Sequence, residues 1–225
     1  MSKLILLEWK KAKQNMIFME LAFYIIIIMF LPVFFIKVVN GAFGQSFDIF
    51  IELIKSMELS FALFGASLIN HVFIEEYKNK TMSLSYSYPI SRKKLFSAKI
   101  LFIALFVFLV TVLSFLLTGI TTVILDQFFD VIQFQVTGSD IIAYLGATIF
   151  RSIIVSIVSF IPLFMFGVWR RATVPTVTCA IFAMQLPNFS EMFNLDRDFV
   201  IFALVLLGAV SLFLAIKTAD TVGEI

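Results

Sequence analysis

Residues 100–125, ILFIALFVFLVTVLSFLLTGITTVIL, hold no charged side chain. As a helix rising 1.5 Å per residue, a run of this length covers about 39 Å. That exceeds the roughly 30 Å of hydrocarbon in a bilayer, so the stretch reads as a membrane-spanning helix. The same signature recurs on both sides of it, at about 17–39, 50–74, 141–169, 172–186 and 199–216. The second of these is free of acid or lysine only over 59–74, and the fifth is short and carries Pro175, which predicts a tilted, broken or re-entrant segment. The whole chain of 225 residues is 61% hydrophobic and only 14% charged, well away from the near-half and near-quarter shares of soluble domains. The expected fold is all-α: one polytopic transmembrane domain over residues 1–225, with six spans.

The remaining residues orient those spans. Residues 1–15, MSKLILLEWKKAKQN, lack the cleavage pattern of a signal peptide. Trp9 with Lys10, Lys11 and Lys13 beside Leu4, Ile5 and Leu7 fits a short helix lying in the membrane interface; a plain basic flank of the first span fits the same residues. With the N-terminus in the cytoplasm, 13 lysines and arginines fall on that side and Lys37, Lys55 and Arg197 on the other, with Arg151 inside a span. This asymmetry is the positive-inside signature, hidden in a formal net charge of +2. It predicts a multi-pass plasma-membrane protein with both termini cytoplasmic. Residues 75–99, with Lys78, Lys80, Arg92, Lys93, Lys94 and Lys99, then form the main cytoplasmic loop.

Several chemistries are excluded. Cys179 stands alone, so there is no disulfide framework and no CxxC metal site. No GxxxxGK[ST] phosphate loop is present, so no cofactor is expected on this chain, and any ATP and Mg would sit on another polypeptide. His71 and Glu75 share a helical face, but two ligands in an order other than HExxH make no metal site. There are no paired intramembrane carboxylates and no Ser/His/Asp set at one depth, so no catalytic residues and no enzyme are expected, and nucleic acid is not an expected partner.

Three ionisable residues fall inside spans, where each costs roughly 2.5–3.5 kcal/mol on insertion scales. Glu20 and His71, the latter beside Asn70, lie about one turn in from the same side, so a Glu20–His71 contact would be either a gate or a structural pair. Arg151 lies about ten residues, roughly 15 Å, into the fourth span. It fits a polar cavity lining or a structurally satisfied arginine, with Glu20 as a partner across the bundle. The 29 phenylalanines read mostly as lipid-facing and interhelical filler, a minority being available to line a route for an amphipathic substrate.

Residues 75–99, EEYKNKTMSLSYSYPISRKKLFSAK, resemble the corresponding stretch of ABC-2-type transporter permeases. An acidic start (Glu75, Glu76), a threonine (Thr81), an apolar-polar segment (82–88), Pro89-Ile-Ser-Arg92 and a lysine opening the third span (Lys99) occur in the family's order. The six-span layout, the basic N-terminus and residues 186–196, LPNFSEMFNLD, are also similar. Where the family often has glycine before the threonine, this chain has Lys80. The resemblance implies a coupling helix docking on a separate ABC ATPase through Tyr77, Thr81, Met82, Leu84, Tyr86, Tyr88, Pro89 and Arg92. It also implies a second permease copy or paralogue, and a bacterial exporter of peptide or toxin type. The alternation of Met82-Ser-Leu-Ser-Tyr-Ser-Tyr88 by itself argues a strand, whereas a helix sets Met82 beside Tyr86 and Leu84 beside Tyr88; the resemblance favours the helix. Pro89 ends any such helix by Tyr88, and Ser91 is placed to cap the next. The basic residues also suit anionic lipid. Two other functions fit the composition: an ion-coupled secondary transporter, and a non-transporting membrane anchor or sensor.

Overall fold

A computed structural model of the chain describes residues 2–11, 14–34, 57–82, 90–129 and 138–220. Among these, eight α-helices occur: α1 (Ser2–Lys11), α2 (Gln14–Phe34), α3 (Phe61–Ile69), α4 (Glu75–Lys78), α5 (Arg92–Phe129), α6 (Gly138–Val158), α7 (Thr173–Gln185) and α8 (Arg197–Lys217). Four stretches are long and apolar enough to cross a membrane: Gln14–Leu31, Arg92–Leu125, Asp140–Val158 and Arg197–Lys217. The other two expected spans are not single long α-helices among the described residues. A π-helical stretch, Asn70–Ile74, joins α3 to α4, and α7 has 13 residues, about 20 Å of rise. Pro175 does not break α7, because it falls in the first turn, where backbone N–H groups have no intrahelical acceptor to lose.

The 141–169 segment departs from a simple span. α6 ends at Val158, residues 159–162 turn, and a second π-helical stretch runs over Leu163–Trp169. Pro162 accounts for the interruption, since it has no N–H to continue the ladder. Beyond it the Gly167 N–H reaches back five residues to the Pro162 carbonyl at 3.1 Å. α8 covers the break: Ser211 Oγ accepts the Phe164 N–H at 3.0 Å. A Cβ at Gly208 would run into the Ile157 carbonyl oxygen, so only glycine lets α8 lie this close. Asp196 caps α8 by accepting the Asp198 N–H at 3.2 Å.

α5 is the hub and touches α1, α2, α3, α6 and α8. It carries Thr111, Ser114, Thr118 and Thr122, and α6 carries Thr148, Ser152 and Ser156, with Ser159 just beyond its end, all buried. Thr111, Thr118, Thr122 and Ser152 donate to carbonyls four residues back. Small side chains with internally satisfied hydroxyls permit close helix approach in an apolar solvent. Direct links are Tyr144 Oη to the Phe115 carbonyl at 2.7 Å and Ser156 Oγ to the Ala104 carbonyl at 3.1 Å. Toward α2, Thr118 and Thr121 donate to the Ile28 and Met29 carbonyls at 3.4 Å, and Trp9, Phe106, Phe64, Tyr24, Phe61 and Phe115 form a chain of rings 5.4–6.4 Å apart across α1, α5, α3 and α2. Part of the phenylalanine excess is therefore core. Other phenylalanines, such as Phe18 and Phe23 on α2 and Phe199, Phe202 and Phe213 on α8, are half or more exposed, as a lipid-facing surface requires.

Candidate functional site

The site is at the base of residues 75–99, where segments distant in sequence meet around Lys99. Its side chain is fully buried, at 0% exposure. The ammonium donates to Glu8 Oε2 at 2.8 Å, Glu76 Oε1 at 2.8 Å and the Val72 carbonyl at 3.1 Å. Those three acceptors use all three N–H donors of a lysine. The Phe73 ring lies 5.7 Å from the nitrogen, and Lys11 adds a second cation at the rim, 3.6 Å from Glu8 Oε1 and 4.0 Å from Glu76 Oε1. Two carboxylates and two ammonium groups balance, which is what makes so buried a cluster tolerable. It ties α1 (Glu8), the start of α4 (Glu76) and the first turns of α5 (Lys99).

The local chain explains how Glu76 arrives there. In the π stretch the Glu75 N–H bonds the Asn70 carbonyl, five residues back. α4 then ends in a turn in which Asn79 N–H bonds Glu75 O at 2.9 Å and Lys80 N–H bonds Tyr77 O at 3.2 Å. Lys80 itself is left-handed, with φ 57°. This is the position at which the resembling family often has glycine, so the lysine keeps the turn that glycine would favour. Thr81, exposed, donates to the Glu76 carbonyl at 3.3 Å.

A second turn packs beside the first. Arg171 is also left-handed, at φ 52°, with Ala172 N–H bonded to Phe166 O at 3.0 Å. Its guanidinium lies over the Tyr77 ring, 4.2 Å from the centroid. Lys78 Nζ donates to Thr173 Oγ1 at 2.9 Å, and that hydroxyl donates to Asn70 Oδ1 at 2.8 Å. The turn at 170–172 is thereby fastened to α4.

The expected site residues are distributed unevenly around this centre. Tyr77 is under Arg171, and Met82, only 2% exposed, belongs to the chain's own hydrophobic core. Arg92 opens α5, whose start is marked by Leu95 N–H bonding the Ser91 carbonyl. Leu84, Tyr86, Tyr88 and Pro89 lie outside the described residues. The Glu20–His71 contact does not form: Glu20 accepts from Ser67 Oγ at 2.8 Å, while His71 Nδ1 is 3.1 Å from Glu75 Oε1. Arg151 pairs with Glu58 at 3.3 Å rather than with Glu20. Glu58 is buried at 3% exposure. The Lys99 cluster escaped sequence reasoning because its partners are 91 and 23 residues away. The signal available was a lone acid, Glu8, in an otherwise basic N-terminal segment.

An all-helical bundle with four membrane-length helices and a polar hub beneath a basic excursion defines a multi-pass membrane protein. The chain belongs to a transport family: residues 4–186 match the ABC-2 family transporter protein family, and it is a membrane component of that type. It is also 30% identical over 190 residues, covering 82% of each chain, to the uncharacterized protein YcbO of Bacillus subtilis (strain 168). No solved structure matches it. ABC-2 permeases generally pair with an ABC ATPase and are themselves typically non-catalytic.

Proposed function

We propose that this chain is the membrane half of an ATP-driven exporter, crossing the membrane six times with both termini cytoplasmic. A separate ABC ATPase docks on residues 75–99, and a second permease copy or paralogue completes the pathway. The observation that carries the reading is the Glu76–Lys99 link: it closes the base of the excursion, so a force applied to residues 79–91 reaches α4 and α5 together. An excursion with free ends would deform instead of transmitting. The substrate class favoured is an amphipathic peptide or toxin, in keeping with the phenylalanine-rich spans. The pairing of Arg151 with Glu58 argues against the ion-coupled alternative, which needs a mid-span charge left for the coupling ion.

Co-purification tests the dock. The native chain should retain an ABC ATPase through detergent extraction, and the variant L84D/Y86D should lose it while reaching native abundance in the membrane. Retention of the ATPase by that variant would refute the assignment of residues 75–99.

A further inference from the structure

We infer that Lys99 is a positioning residue that makes α1 a third moving part of the coupling machinery, driven through Glu8. This rests on the reading of residues 75–99 as the ATPase dock. α1 meets the bundle along one face, packed on α5. Leu6, Leu7 and Lys10 point outward, with the two leucines 55% and 51% exposed. Inward, Trp9 packs on Phe102 and Phe106 of α5 at 6.3 and 5.4 Å, and Glu8 reaches Lys99. The aromatic contact is non-directional and tolerates sliding, whereas a charge-assisted hydrogen bond of 2.8 Å has a fixed length and direction. A displacement of the Glu76–Lys99 base therefore carries α1 with it chiefly through the Glu8–Lys99 bond, the Lys11–Glu76 contact at the rim being longer, at 4.0 Å. Apolar side chains in place of the whole cluster would fasten the three helices at least as firmly, since buried ion clusters seldom exceed their hydrophobic replacements in stability. What the cluster adds is a defined register among α1, α4 and α5.

The experiment uses the full complex with the ABC ATPase that co-purifies, in lipid nanodiscs, on a C179S background. Nitroxide labels at Lys10→Cys (α1) or Leu101→Cys (α5) are paired with one at Phe213→Cys (α8), and distances are compared without nucleotide and with ATP and vanadate. In the otherwise unaltered chain both labels should move. In E8L, which removes the acceptor from position 8 and keeps Lys99 bonded to Glu76 and Val72, the α1 movement should fall to less than a third while the α5 movement persists and the ATPase stays bound. E8Q, whose amide Oε1 still accepts from the Lys99 ammonium, should recover the α1 movement, a rescue that a general loss of packing at position 8 would not produce. Undiminished α1 movement in E8L, or no recovery in E8Q, overturns the role of Lys99 and leaves the dock intact. A complex that retains its ATPase yet shows no α5 movement overturns the underlying reading, and this inference with it.

Discussion

Lys80 allows a backbone prediction with opposite signs two residues apart. It is left-handed at φ 57°, while Lys78 is the last residue of α4. A side chain in the left-handed region costs roughly 1–2 kcal/mol. Glycine removes that cost but frees the unfolded chain, which returns about 0.5–1 kcal/mol. Comparing Lys80→Gly with Lys80→Ala cancels whatever the lysine side chain contributes, and should favour glycine by about 0.5–1 kcal/mol. The same comparison at Lys78, inside a helix, should favour alanine by about 1 kcal/mol. For a chain of this size each kcal/mol moves the melting midpoint by about 2–4 °C. K80G should therefore melt about 1–4 °C above K80A, and K78G below K78A by a comparable margin. Thermal melts in dodecyl maltoside, with reversible unfolding in sodium dodecyl sulfate mixed micelles as a second measure, resolve such shifts. If K80A proves as stable as K80G, the turn is not left-handed and its likeness to the family's glycine turn is lost.

Three further outcomes follow from the packing. Arg151→Leu leaves Glu58 buried without its cation and should lower stability by about 3–5 kcal/mol, with R151L/E58Q recovering most of it, read from membrane abundance and melting midpoint. K99M should cost a similar amount, and the double variant E8Q/K99M clearly less than the sum of the singles, because removing a carboxylate relieves the charge that K99M strands; a double-mutant cycle by unfolding titration gives the coupling. Gly208→Ala should cost about 1–3 kcal/mol, since its Cβ meets the Ile157 backbone and not a side chain that can move aside; the melting midpoint reads it directly.

The membrane class was written in one stretch. A charge-free run at 100–125 permits little but a spanning helix, and the helix found there extends over Arg92–Phe129. Lysine and arginine counting isolates residues 75–99 for the same reason: charges are rare enough in this chain to be informative. What counting cannot supply is pairing. It assigns Lys99 to the cytoplasmic side and no more, whereas Lys99, like Glu58, is buried against a partner whose proximity depends on helix packing. The two π stretches were illegible for a different reason. Their residues, NHVFI and LFMFGVW, are ordinary helix and membrane residues, and a wider turn leaves no mark on hydrophobic periodicity over so few positions. Pro162 marked the second break, but a proline inside an apolar run is compatible with several backbone solutions.

The π stretch at Asn70–Ile74 bears on how such a protein changes over generations. A backbone turn that closes over five residues instead of four holds one residue more than an α-turn, so everything after it is rotated by about 100° relative to an uninterrupted helix. Glu76 and Tyr77 meet Lys99 and Arg171 only in that rotated frame. Loss of a single codon within 70–74 would close the turn to an α-helical one and leave both side chains in register, because the wider turn holds the one residue removed. The same loss along α3 would instead rotate them by about 100° with every contact residue still encoded. The π stretch is thus a reserve of one residue, which lets the helix ahead of the loop lose a position there without changing where the loop points.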